Sequence, residues 1–145
     1  MGSPTRPRAV EWGTFRTSPR EAHADRLWRL HEGLSEVLAR HRIEHGAVES
    51  FFVHPASTSS MGVAEARGAL LAALARHAVP VVEYSPSAIK QAVTGDGRAD
   101  KDGVRTMVER LCGAKVKSSH AADALAVAIC HLGTAPLARA IRRAQ

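Results

Sequence analysis

His120 and Asp123 stand three residues apart at the opening of the stretch "SSHAADALAVAICHL", residues 118–132. On a helix that spacing puts both side chains on one face, about one turn from Ser118 or Ser119 as the N-cap. The partial positive charge of a helix N-terminus favours an ionised Asp123, and a divalent ion beside it would favour it further while taking a neutral imidazole as ligand. A capping aspartate and a surface histidine are the plain alternatives. Glu49 changes the weighing, because it interrupts the apolar run "AVESFFV". A charge there must be compensated, or must face solvent at the strand edge. Two carboxylates and an imidazole converging at one edge of an α/β sheet suit Mg2+ or Mn2+, ions that activate water for attack on a phosphodiester and stabilise the leaving oxygen.

Basic residues flank these positions: Lys90, Arg98, Lys101, Arg105, Lys115 and Lys117. They are candidates for phosphate contacts. The stretch "GDGRADK" is not a Walker loop, so its glycines alone indicate a turn or a mobile segment. Phe51 and Phe52 read first as core, although one of them beside a metal ligand at a strand end could stack on or wedge between bases. His41 and His45 are four apart, but Gly46 and a helix end between them weaken a metal-site reading.

The whole chain is consistent with such a site. Its 145 residues fit one domain, and a formal charge of +6 with 20 Lys plus Arg against 14 acids puts a polyanionic partner on an equal footing with a merely solvated basic surface. Aromatic content of 4% argues against a broad base-stacking platform. No apolar run reaches the length of a membrane span, and "MGSPTRPRAV" lacks the apolar core of a signal peptide, so a cytoplasmic protein is expected. Cys112 and Cys130 sit inside helical patterns and are expected to be packing residues.

The elements that would position the site follow from periodicity. A short strand is expected over 9–17, then an amphipathic helix from Arg20 to about His41 with Leu27, Leu30, Leu34, Val37 and Leu38 on one stripe. A strand over 46–53 and a helix from about Ser60 to His77 follow, then a strand over 79–84. Ser85-Pro86 reads as an N-cap with proline at the first helical position, opening a short helix through Val93. Asp100 is the expected N-cap of a helix with core face Val104, Met107, Val108 and Leu111, closed by Gly113. Strands alternating with helices imply an α/β layered domain.

In order and content these stretches resemble the RuvC-type Holliday junction resolvases of the ribonuclease H-like superfamily. The resemblance rests on "AVES", "EARGAL", "VPVVEYSPSAIKQAVTGDGRADKDGV" and above all "HAADALAVAICH". It implies a mixed sheet flanked by helices and a crossover junction endodeoxyribonuclease that nicks two strands of a four-way DNA junction symmetrically as a homodimer. It also implies branch-migration proteins RuvA and RuvB as partners, and no membrane. Metal ligands implied are Glu49, His120 and Asp123 together with an acid on a first strand that has no match in this sequence, holding Mg2+ or Mn2+ with two ions per site. Lys101 is implied as catalytic, Lys90 as a residue near the scissile phosphate, and Phe52 as a contact to the opened junction core.

Family members normally begin with a strand bearing G-I-D-P-G and then a second strand, and nothing in "MGSPTRPRAVEW" matches either. The expected organisation is therefore a mobile N-terminus over 1–8, an incomplete nuclease domain over 9–133 and a basic C-terminal tail over 134–145. A misplaced start, a remnant gene or a partner that completes the sheet would each account for the departure. Rival readings are a catalytically incomplete junction-binding remnant, another ribonuclease H-like nuclease, and a small-molecule α/β protein with a basic surface.

Overall fold

The computed structural model describes residues 6–51, 56 and 58–143, with side chains described as far as residue 135. Its elements, in chain order, are α1 (His23–Arg40), β1 (Gly46–Glu49), α2 (Thr58–Arg76), β2 (Val81–Tyr84), α3 (Pro86–Thr94), α4 (Lys101–Cys112) and α5 (Ser119–Arg143). The two strands pair. Gly46 N–H donates to Pro80 O at 2.8 Å and Ser50 N–H donates to Tyr84 O at 2.8 Å, so the register stays constant along the ladder and the strands run parallel. A parallel pair needs a long crossover, which α2 supplies.

The strand expected over 9–17 does not form, and these residues run in irregular conformation. Extended backbone becomes a strand only by exchanging hydrogen bonds with a neighbour, and the described sheet is just β1 with β2. Phe15 in that segment instead lies against α1, where a Cβ at Gly33 would come within 2.8 Å of its ring. The strand expected over 46–53 ends at Glu49, and residues 52–55 lie outside the described residues.

Packing divides the chain into two compact units. The unit of residues 15–46 and 51–82 holds α1 and α2. Its core is Leu38, Leu74 and Val79, with Leu34, Leu71 and Val81 packed against it; of the predicted α1 stripe, Leu38 is buried and Leu27, Leu30, Leu34 and Val37 are half-buried. Asp25 in the first turn and Arg40 in the last both oppose the helix dipole favourably. Helix α1 ends before His41, so His41 and His45 do not share a helical face.

The unit of residues 1–14, 47–50 and 83–145 holds α3, α4 and α5, each packed on the other two. Ile89 and Val93 of α3, Val104 and Val108 of α4, and Ala126, Val127 and Cys130 of α5 form one buried cluster. The small residues of α5 are why three helices can meet around it: alanines let the neighbouring helices approach, while Cys130 and Val108 fill the centre. Both thiols are pushed up from their ordinary value by burial, which fits packing residues. Caps fall where the sequence places them. Ser85 Oγ accepts from Ala88 N–H at 3.1 Å, Asp100 Oδ1 accepts from Gly103 N–H at 2.7 Å, and Gly113 closes α4 at φ 65°. Residues 134–143, within the segment expected as a basic tail, are helical and continue α5, in keeping with the helix propensity of "APLARAI" after its proline.

Candidate active site

Four of the predicted residues line one cleft of about 220 Å³ in the α3–α4–α5 unit: Glu49, Lys90, Lys101 and Asp123. Each arrives on a different element. Glu49 is the last residue of β1, Lys90 lies in the middle of α3, Lys101 is the first residue of α4, and Asp123 lies in the first turns of α5. Ile89, Val104, Ala126 and Val127 form the floor. All four of these are also core residues, so the packing that stabilises the unit sets the spacing of the charged groups above it.

Glu49 is exposed, as is Asp123. The apolar run around Glu49 therefore does not bury it: β1 stops there, and its side chain stands at the end of the strand. Asp123 is exposed next to buried Ala121 and Ala122, which with Val116 anchor the start of α5 in a small cluster of their own. The cap of that helix is Ser118, whose Oγ accepts from Ala121 N–H at 3.4 Å and whose carbonyl accepts from Ala122 N–H at 3.0 Å.

The remaining candidates are placed elsewhere. His120 is exposed on the first turn of α5 and does not line the cleft. Arg98 and Lys117 lie on the segments that precede α4 and α5. Arg105 reaches Asp102 at 3.7 Å and Lys115 reaches Glu109 at 3.4 Å, both as surface pairs. Phe52 lies outside the described residues; its neighbour Phe51 is half-buried, with the Arg67 guanidinium 6.0 Å from its ring centre.

The donor set can be weighed against a divalent cation on chemical grounds. Among the described residues no three His, Cys, Asp or Glu side chains come together as a metal cage. Magnesium does not require one: it keeps several waters and is commonly held by one or two carboxylates plus substrate phosphates. Two carboxylates on one cleft with two ammonium groups match that pattern, and the lysines add charge where a phosphodiester would lie.

Two supporting contacts had no signal in the sequence. Tyr84 Oη and His131 Nδ1 are hydrogen-bonded at 2.8 Å across 47 residues, tying β2 to the helix that carries Asp123. Glu109 Oε1 accepts from Val116 N–H at 2.8 Å, so α4 holds the approach to α5. That backbone hydrogen bond, with Lys115 beside it, keeps the Glu109 carboxyl below its ordinary value against the opposing effect of burial. Tyr84 and His131 are too distant in the chain for any periodic pattern to link them, and Glu109 has the sequence surroundings of an ordinary surface glutamate.

Parallel strands joined by a helical crossover, covered by helices and ending at a cleft with two carboxylates and two lysines, fit the ribonuclease H-like class of fold. Residues 4–131 match the family model described as crossover junction endodeoxyribonuclease RuvC. The chain belongs to the RuvC family. Its RuvC relative from Halorhodospira halophila is 44% identical over 131 residues, covering 90% of this chain and 77% of that one. The relative from Oleidesulfovibrio alaskensis is 42% identical over 132 residues, covering 90% and 78%. Among solved structures, Thermus thermophilus RuvC in complex with Holliday junction substrate superposes with a TM-score of 0.85 at 38% identity, covering 90% of this chain and 81% of that one. Another structure of Thermus thermophilus RuvC gives 0.80 at 37% identity, covering 90% and 78%.

Proposed function

We propose that the chain is a structure-selective endonuclease that resolves four-way DNA junctions by metal-dependent hydrolysis of a phosphodiester. The observation that carries this reading is the meeting of Glu49, Asp123, Lys90 and Lys101 on one cleft, in a chain of the RuvC family. Glu49 and Asp123 would hold Mg2+ or Mn2+, two ions per site, with waters and substrate phosphate oxygens filling the remaining positions; His120, one turn before Asp123 and outside the cleft lining, would join them only by turning toward the bound ion. A bound divalent cation supplies Lewis-acid charge and lowers the pKa of water.

The chain's own residues do the rest. Lys101 and Lys90 draw the scissile phosphate onto the cleft and offset the negative charge that develops as water adds to phosphorus. The bond to the 3′ oxygen then breaks, leaving a 5′-phosphate and a 3′-hydroxyl. Arg98, Arg105, Lys115 and Lys117 contact the flanking backbone without reading bases, and Phe52 contacts the opened junction core. Symmetric nicking needs two such sites, so the acting species is a homodimer, working with RuvA and RuvB in the cytoplasm. Among the described residues no helix is long and apolar enough to cross a membrane.

Incubating the purified protein with a synthetic four-way junction, a flap, a duplex and an RNA–DNA hybrid tests this, with and without Mg2+. Symmetric, Mg2+-dependent nicks on the junction alone are the expected result. Binding to the junction without cleavage would instead favour a non-catalytic module, and cleavage of the flap or hybrid in preference would favour another nuclease of the same fold.

A further inference from the structure

The glycine loop between α3 and α4, residues 95–100, is more ordered by side chains than its composition implies. Gln91, on the last turn of α3, grips it twice: its Nε2 donates to Gly95 O at 2.9 Å, and its Oε1 accepts from Gly97 N–H at 3.1 Å. Only one orientation of the amide can satisfy both partners, since a carbonyl cannot donate and an N–H cannot accept. Thr94 Oγ1 donates to Lys90 O at 2.8 Å and accepts from Asp96 N–H at 3.1 Å, and Asp96 Oδ1 accepts from Arg98 N–H at 2.9 Å. Asp100 then caps α4. The loop also folds back on the start of α3, where a Cβ at Gly97 would meet Ser87 Oγ at 3.0 Å.

These loop groups are exposed. Water could satisfy them without any side chain, so the clamp acts on conformation. Its consequence falls on two residues of the cleft. Lys90 immediately precedes Gln91 on α3, and Lys101 begins α4 directly after the loop. The path between the two ammonium-bearing residues runs through the α3 end, the doubly gripped glycines and the Asp100 cap in series. The clamp therefore acts, together with the packing of α4 on α3 and α5, on the segment that delivers Lys101 to the cleft that Lys90 also lines.

We infer that Gln91 is a positioning residue for cleavage, setting the place of Lys101 through the glycine loop; this rests on the junction-nuclease reading above. A misplacement of about 1 Å at a reacting centre can cost up to about a hundredfold in rate, while phosphate contacts spread over a surface tolerate it. Gln91 therefore affects the chemical step more than binding.

The test is a double-mutant cycle read by single-turnover cleavage of a four-way junction at saturating protein, with junction affinity and thermal midpoint measured alongside. Gln91→Leu is expected to lower the cleavage rate about tenfold with affinity changed less than about twofold. In a Lys101→Ala background the same substitution is expected to lower the rate by no more than about twofold, because the group it positions is gone. Faster amide exchange at Gly97 in Gln91→Leu, with the helix amides of α3 and α4 unaltered, is expected as well. Equal fold-losses in both backgrounds, an unchanged rate in the single variant, or unaltered exchange at Gly97 would each overturn the inference. The unsubstituted protein run in parallel separates the two readings: if it nicks no junction, the nuclease reading falls and this one with it; if it cleaves and the cycle is additive, this one alone falls.

Discussion

The two compact units of this chain use their sequence differently. In the unit with α3, α4 and α5, the ends of α3 and α4 are fixed locally: the side chains of Ser85 and Asp100 cap the starts, and the backbones of Gly95 and Gly113 in left-handed conformation close the ends. In the unit with α1 and α2, the N-cap of α1 is Ala22, which offers no side-chain cap, and α2 is followed by Ala78 at φ 55°, a conformation an alanine adopts only under strain. Exposed large apolar side chains do not distinguish the two: Trp28, Met61 and Val63 are exposed in this unit, and Val10, Trp12 and Leu132 in the other. The lesson is one of placement. A residue such as Lys101 stands at a defined point only if its helix begins at a defined residue, and every charged group on the cleft belongs to the unit whose ends are specified.

Substitutions in each unit should therefore separate rate from stability. The largest effect is expected at Glu49: Glu49→Gln keeps the shape of the side chain and removes its charge, and should lower junction cleavage by about a hundredfold or more with binding retained, measured by single-turnover assay and gel shift. A loss confined to affinity would place Glu49 outside the chemistry. Next, Asp100→Ala removes the α4 cap at a cost of about 1 kcal/mol, and chemical denaturation should record that. Because Lys101 follows the cap directly, the cleavage rate should fall too. An intact rate would break the link between cap and cleft.

Ala78→Gly in the other unit should do the reverse of Asp100→Ala. Glycine relieves the left-handed strain, so unfolding free energy should rise by up to about 1 kcal/mol while the cleavage rate stays the same. The smallest effect is expected from Glu109→Gln. The folded protein holds the Glu109 carboxyl below its ordinary value. Its stabilising contribution is thus complete above the unfolded carboxylate value and lost as pH falls through the lowered one. Thermal midpoints of variant and parent should differ slightly at neutral pH and converge in acid. A gap that persists in acid would mean that the hydrogen bond to Val116 does not depend on charge.

Much of the fold is legible in the residues alone, and the failures have physical causes. Caps and left-handed glycines are local, so Ser85, Asp100 and Gly113 are readable from neighbouring residues, as is the apolar face of α4. The fold class and family also follow from the motif order. A strand depends on a partner elsewhere, which is why 9–17 has the pattern of a strand and is not one. Spacing gives the candidate site residues as types and not as a set, since nothing in it separates Lys90 and Lys101, which line the cleft, from Arg105 and Lys115, which pair on the surface; only the family resemblance sets those two lysines apart. Gln91 carries no signal because its role lies in two backbone groups of a loop that has no period.

The central claim is that the cleft holding Glu49 and Asp123 cuts the junction. Asp123→Asn, assayed beside the parent on one four-way junction in Mg2+ for both binding and single-turnover cleavage, tests it most directly. The account predicts junction binding within about threefold of the parent and cleavage reduced by about a hundredfold or more. Cleavage at the parental rate would contradict it.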